Sequence, residues 1–328
     1  MVSFVKCDGR SRSATGGDGY KRRRMNGESP PSETSTPPQR QQTARQRKQK
    51  LMSKLSDSGF EEDLGSPARI DVSPLRSEGQ PGVGQVCSWY LQYGDIGYKI
   101  QREKEAQYHP CKSLARQPQL TAEARCKLVS WLIPVHKHLS LSFECCCLAV
   151  NIMDRFLAST AVAADCFQLL GVTALLLASK QVEVCSPRIR HLLSLCCDAF
   201  TKEQLCNLEC LILLRLNFCL NAPTLAFFLD YYTNCIECAR MNIDSKLRRQ
   251  CKLAQKVCEL SLADYAFNKY PPSLTASCAL RIASGLLKTE QGLAALESYH
   301  ENLAQECKDN LELLVSLNQE TLEVMSLM

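Results

Sequence analysis

Apolar positions along this chain recur at helical spacing, and one stretch is apolar all the way round. From Cys166 to Glu183 the sequence reads CFQLLGVTALLLASKQVE, with no charged residue between Leu169 and Ala178. Apolar side chains at every angle around a helix predict one enclosed by protein on all sides. A membrane span is the rival reading, but the uncharged run ends at Lys180 and falls short of the roughly 20 apolar residues that a bilayer requires. Lys180 and Glu183 then make the last turn polar, so the tip of a buried central helix is free to meet a partner.

Start signals place other helices around it. A first segment runs from Val86 to about Gln107 and is followed by a linker broken by Pro110 and Pro118; Thr121 with Glu123 opens a helix towards His138. Ser142 precedes FECCCLAVNIMDRFL, Ser186-Pro187 precedes RIRHLLSLCC, and Thr201 with Gln204 forms a capping box ahead of LCNLECLILLRL. With the central helix, these predict five helices between Thr121 and Cys219. A second series is expected after Asn221-Ala222-Pro223, near 223–235, 244–262, 271–288 and 301–316. Pro271-Pro272 suits a first turn, where the missing N–H has no helical partner to lose. No strand-like alternation competes, so the fold class is all-α, with two helical domains in tandem.

Composition changes this picture only at the N-terminus. Residues 1–85 are rich in Ser, Pro, Gln, Gly and Arg and poor in aromatics, which predicts a disordered tail that cannot bury enough apolar surface to offset the entropy of ordering. The chain divides on this reading into the tail, an N-terminal helix and linker over 86–117, a first fold over 118–220 and a second over 221–328. Residues 1–86 hold 15 Lys/Arg against 10 Asp/Glu, and the remainder carries 24 of each sign. The folded part is therefore neutral. The tail contains two basic clusters, Lys21 to Arg24 and Arg45 to Lys50, and an acidic patch from Asp57 to Asp63. The clusters read as nuclear-import or non-specific nucleic-acid contacts, or simply as charges that keep a tail soluble.

The chain has 20 cysteines, which would suggest disulfides in a secreted protein, but MVSFVKCDGR offers no apolar segment long enough for a signal peptide. A reducing compartment is expected. Cys145 to Cys147, Cys196 and Cys197, and Cys206 and Cys210 fall in apolar helical runs, where a thiol acts as a small hydrophobe. Cys235 and Cys238 form a single C-x-x-C without a second pair or a nearby histidine, and read as a helix end rather than a metal site. His136 and His138 are two apart and point to different sides of a helix, a poor metal pair. No G-x-S-x-G, Walker loop or H-E-x-x-H occurs, so neither enzymatic chemistry, a cofactor nor a metal is expected.

Taken together, LVSWL at 128–132, NIMDRFL at 151–157, LLGVTALLLASK at 169–180, LECLIL at 208–213 and NFCLNAPT at 217–224 resemble the cyclin box of A- and B-type cyclins in order and spacing. LSLADYAFNKYPPSLTASC at 260–278 resembles the second fold of the same family. The resemblance implies two tandem five-helix cyclin folds behind the tail. It also implies a regulatory subunit that binds and activates a cyclin-dependent kinase, with no catalytic group of its own. Five positions typical of the box are filled, by Arg125, Asp154, Leu169, Lys180 and Glu209. From spacing alone Arg125 and Asp154 read as surface charges; the resemblance makes them a buried structural ion pair. It assigns Lys180, Glu183, Glu209, Phe218 and Leu220 to kinase binding, whereas the residues alone would make Lys180 a solvated helix C-terminus and Glu209 an exposed carboxylate. It assigns Leu128, Trp131 and Gln168 to docking of Arg-x-Leu substrate peptides.

This chain departs from the family pattern in two places. Gln181 and Val182 follow Lys180 where many cyclins have acidic or aromatic residues, and Ala124 and Pro134 replace a methionine and an acidic residue of the docking patch. Ser66 and Ser73 sit in Ser-Pro-x-basic sequences that such a kinase prefers. The branch of the family most resembled implies a role in centriole amplification of multiciliated cells, in cytoplasm and nucleus. Two other readings stand beside this: a cyclin-fold scaffold that has left the kinase, and a TFIIB-type nucleic-acid-binding factor. The neutral charge of the folded region and the absence of zinc-ribbon cysteines in the tail weigh against the second, and neither nucleic acid nor membrane is expected as a partner.

Overall fold

Two apolar clusters, each built around a largely buried helix, organise the chain. The computed structural model describes residues 83–110, 112–240, 245–287 and 301–319. Ser66, Ser73, both basic clusters and the acidic patch lie outside them. In chain order the α-helices are α1 Val83–Tyr108, α2 Ala122–His138, α3 Phe143–Ser159, α4 Phe167–Val182, α5 Ile189–Ser194, α6 Lys202–Arg215, α7 Leu225–Arg240, α8 Ser245–Ala263, α9 Pro272–Leu286 and α10 Glu301–Leu317. No β-strand forms among the described residues. None of the described helices is long and apolar enough to cross a membrane.

The first fold comprises α2 to α6, the five helices expected. In α4 every residue from Leu169 to Ser179 is buried, as the pattern predicted. Helix α3 is nearly as enclosed, with eleven buried residues from Cys145 to Leu157. Burial pushes the Cys146 thiol up to about 12 and raises those of Cys145 and Cys147 as well, so all three remain uncharged and pack as small apolar groups. The second fold wraps α7, α8 and α10 around α9, which is buried from Ser273 to Leu280. Among the described residues it has these four α-helices and a 3-10 turn at Tyr265–Lys269.

Local chemistry sets most helix starts. The Thr121 and Ser142 hydroxyls accept from the N–H groups of Ala124 and Cys145 at 3.1 Å each. The capping box of Thr201 and Gln204 is present in both directions. Two helix ends close through a left-handed residue in the Schellman pattern. After α2, Ser140 (φ 54°) donates to Lys137 O while Leu141 donates to His136 O. After α6, Asn217 (φ 51°) donates to Leu214 O and Phe218 to Leu213 O.

The structure corrects three sequence expectations. Ser186 caps nothing: Arg188 precedes α5, without a side-chain cap. Helix α5 ends at Ser194, leaving Cys196 and Cys197 in the following turn rather than in a helix. Cys235 and Cys238 fall in the last two turns of α7, in keeping with a helix end. Arg125 and Asp154 are 1% exposed each and form an ion pair at 2.7 Å, where spacing alone suggested surface charges. As expected, α2 runs through Pro134 to His138.

Helix α1 belongs to the second fold as much as to the first. Tyr98 stacks on Tyr231 at 4.3 Å, and buried Glu105 accepts from the N–H and the hydroxyl of Ser273, both at 2.7 Å, capping the start of α9. At its last residue the Tyr108 carbonyl accepts from Asn151 of α3 at 3.1 Å. The two folds are joined more centrally by Arg125, whose Nη1 donates to the carbonyls of Leu262 and Ala263 at the end of α8, both at 3.2 Å.

Candidate functional site

The tip of α4 and the middle of α6 meet at the surface of the first fold. Helix α4 ends after Val182, where the Glu183 N–H closes on Ser179 O at 2.9 Å. Lys180 thus stands in the last turn, where exposed carbonyls favour a cation. The capping box fixes the start of α6 and hence the register that brings Glu209 under Lys180. Lys180 Nζ donates to Glu209 Oε1 at 2.7 Å. Glu209 is buried while Lys180 remains exposed. An ammonium has three donors and one is used here, so the pair presents cationic N–H groups outward with a carboxylate behind them.

The other residues assigned to this face by resemblance divide. Glu183 is turned away from the pair: its Oε1 accepts from Ser142 N at 2.8 Å and from Ser142 Oγ at 2.6 Å, at the start of α3. Phe218, in left-handed backbone (φ 58°), leaves its ring 66% exposed. Leu220, two residues on, is buried in the core of the first fold and anchors the segment instead of facing outward. Val184, Leu214 and Phe218 are among the most exposed large apolar side chains described, with Val184 fully in solvent.

Sequence reasoning missed Arg155. Its Nη2 donates to the Cys219 carbonyl at 2.8 Å, and its guanidinium lies over the Tyr108 ring at 4.7 Å. Arg155 thereby ties the Asn217–Leu220 segment to the end of α1. Nothing in its neighbourhood in the sequence signals this, because both partners come from distant parts of the chain.

Of the docking residues, Leu128 is buried and packs on Gly171 of α4 so closely that a Cβ there would stand 3.0 Å from Leu128 Cδ1. Trp131 and Gln168 are half-buried, as is Ala124, while Pro134 is exposed. Among the described residues no group of His, Cys, Asp or Glu is arranged to hold a metal.

Comparison with known proteins accounts for this arrangement. The cyclin N-terminal domain family matches residues 96–221 and the cyclin C-terminal domain family matches residues 223–325. Cyclin-O protein B of Xenopus laevis is 48% identical over 289 residues, covering 85% of this chain and 79% of its own length. Cyclin-O of Homo sapiens is 49% identical over 252 residues, covering 76% and 72%. The X-ray structure of a viral cyclin from herpesvirus saimiri superimposes with a TM-score of 0.57 at 20% identity, over 66% of this chain and 96% of that one, and so shares the fold. With the two domain matches together spanning most of its length and close to half of the aligned residues identical to two cyclins, the chain belongs to the cyclin family, whose members are regulatory subunits and not enzymes.

Proposed function

We propose that the chain binds and activates a cyclin-dependent kinase through the face centred on Lys180 and Glu209. The observation that carries this reading is the 2.7 Å pair at the tip of a buried helix, exposed on its cationic side. Such a pair can donate to backbone carbonyls beside the kinase's regulatory helix, with the exposed Phe218 ring as an apolar contact next to it. A cyclin so docked holds that helix inward, and the kinase's own Lys–Glu pair and metal-binding Asp reach the geometry that phosphoryl transfer needs. The cyclin supplies binding energy and no reacting group. An intact pair favours this reading over a scaffold that has left the kinase.

Similarity to proteins named Cyclin-O supports a finer assignment, to centriole amplification and differentiation of multiciliated cells, with the protein in cytoplasm and nucleus. Ser66 and Ser73 are proposed as substrates of the bound kinase, and the patch of Leu128, Trp131 and Gln168 as a weak docking site for substrate peptides. The deciding experiment mixes the purified chain with candidate kinases and measures binding and activation separately. Replacing Lys180 and Glu209 together by alanine should cost about 2 kcal/mol or more of binding, as for an interface hot spot, while the chain stays folded. A double variant that activates as well as wild type refutes the placement of the interface.

A further inference from the structure

The segment between α4 and α5 carries the one Ser-Pro step in the folded region, and its role is not the helix cap that its sequence suggested. Glu183 to Arg188 has no regular structure. Ser186 is exposed, and neither its hydroxyl nor the side chains of Arg188 and Arg190 make a hydrogen bond or ion pair among the described residues; both arginines are exposed. Pro187 disfavours the helical region of backbone space for Ser186, and Arg188 itself is extended (φ −68°, ψ 138°), so the segment stays open. In extended chain Ser186 and Arg188 are at most about 7 Å apart, within reach of an arginine side chain.

We propose that Ser186 is a phosphorylation site for a proline-directed protein kinase, and that Arg188 and Arg190 hold the phosphate. Three features suit the reaction. The hydroxyl is free and in solvent, the chain around it can lie extended in a substrate groove, and proline at the next position has no N–H to strand where a groove offers no acceptor. In the transfer, Ser186 Oγ attacks the γ-phosphorus of Mg-bound ATP. The new O–P bond forms as the bond to the ADP oxygen breaks, and the hydroxyl proton passes to a carboxylate of the modifying kinase. The product carries a charge of roughly −1.5 to −2 and three acceptor oxygens. Guanidinium groups are the natural partners of such a group, and two uncommitted ones stand within four residues.

The consequence rests on the kinase-docking reading above. Ser186 lies six residues beyond Lys180, at the tip of the helix that would face the partner, next to fully exposed Val184. A phosphate fixed there brings a strongly hydrated dianion to the rim of the interface, which must be desolvated or displaced for the kinase to close on Lys180 and Glu209. Phosphorylation therefore weakens docking.

The test uses the full chain, Ser186→Ala, and Arg188→Ala with Arg190→Ala. Each is treated with a proline-directed kinase and ATP, and a synthetic peptide spanning residues 181–192 serves as control. Peptide mapping by mass spectrometry is expected to find phosphate on Ser186 of the folded chain and none at that position in Ser186→Ala. The second ionisation of the phosphate, followed by phosphorus NMR, should lie about half a pH unit lower in the wild-type chain than in the double-arginine variant. An unmodified Ser186 in the folded chain, with or without modification of the peptide, overturns the site; equal ionisation in the two chains overturns the arginine clamp. Affinity for the cognate kinase should be at least fivefold lower for phosphorylated wild type than for Ser186→Ala treated identically, and equal affinities refute the regulatory consequence. If the untreated chain binds no kinase, the docking reading fails, while mapping and NMR still decide the site.

Discussion

Removing the Arg125 guanidinium should cost this protein more than any other single change outside its apolar cores. Arg125 Nε and Nη2 donate to the two carboxylate oxygens of Asp154 at 2.9 and 2.7 Å, and Nη1 donates to Leu262 O and Ala263 O. In Arg125→Ala the buried carboxylate keeps only Ser113 Oγ at 3.4 Å and Asn268 Nδ2 at 3.3 Å, both longer than a good hydrogen bond. Stranding one member of a buried ion pair costs roughly 3 to 5 kcal/mol. The last carbonyls of α8 lose their donors as well, at about 1 kcal/mol each. Against a domain stability of roughly 5 to 15 kcal/mol, that is a large fraction of the whole.

Urea unfolding followed by circular dichroism, with the full chain, measures the loss. Arg125→Met combined with Asp154→Leu separates the two contributions: it removes both charges, so the stranded-carboxylate penalty disappears while the α8 carbonyls stay without donors. The double variant should recover about two thirds of the loss in Arg125→Ala, the carbonyl share remaining. A cost below about 1 kcal/mol for Arg125→Ala would refute the claim that this ion pair is a structural anchor. A double variant as unstable as the single one would show that the carbonyl contacts, and not the charge on Asp154, dominate.

Other perturbations test separate parts of the structure. Ser140 holds a left-handed conformation that costs a residue with a side chain about 1 to 2 kcal/mol, so Ser140→Gly should raise stability by about 0.5 to 1 kcal/mol after the entropy of glycine is counted, read as an increase in Tm. Burial lowers the pKa of His136, opposed by nearby Glu259 and aided by Lys137, so the folded state keeps this ring neutral where the unfolded chain takes up a proton. Its contribution is therefore complete above the unfolded value near 6.5 and lost as pH falls below it, and wild type should lose more stability between pH 7.5 and 5.5 than His136→Phe; equal losses would refute this. An Arg-x-Leu peptide should bind at least about tenfold more weakly than it binds an A-type cyclin, because Ala124 withholds apolar area at the rim of the patch. Ala124→Met with Pro134→Glu should restore part of that affinity, and calorimetry giving equal values for the two cyclins would refute it.

Helices were legible in this sequence wherever a local rule set them. Thr121, Ser142 and Thr201 cap the helices they precede because an N-cap hydroxyl needs only its own first turn to act. The apolar run of α4 announced its burial because so little of its surface is polar. Ser186 failed as a cap for an equally local reason, since the residue that precedes α5 is Arg188, in extended backbone, and Ser186 lies two positions too early to reach the first turn. What could not be read from spacing were charges whose partners are distant. Arg125 meets Asp154 across 29 positions and Leu262 across 137, and on its own helix it looks like any exposed arginine. Glu105 and Arg155 were invisible for the same reason, with partners 168 and 64 positions away. Only resemblance to a family supplied the Arg125–Asp154 pairing in advance, and it did not supply the other two.

These long-range charges share a physical task, and it bears on which charge is left for a partner. Every helix ends with backbone groups that its own hydrogen bonds cannot satisfy, and a helix end enclosed by protein cannot leave them to water. Glu105 answers this at the start of α9, Glu183 at the start of α3, and Arg125 at the end of α8. Each is a side chain of one element committed to the end of another; Glu105 and Arg125 are thereby buried, and Glu183 is half-buried. Lys180 stands in the last turn of a buried helix, yet its ammonium reaches sideways to Glu209 and stays exposed with donors unused. The cation at the tip of α4 thus satisfies no helix end within the described chain. A carboxylate fixes its direction, and the acceptors that fit it are backbone carbonyls brought by another molecule.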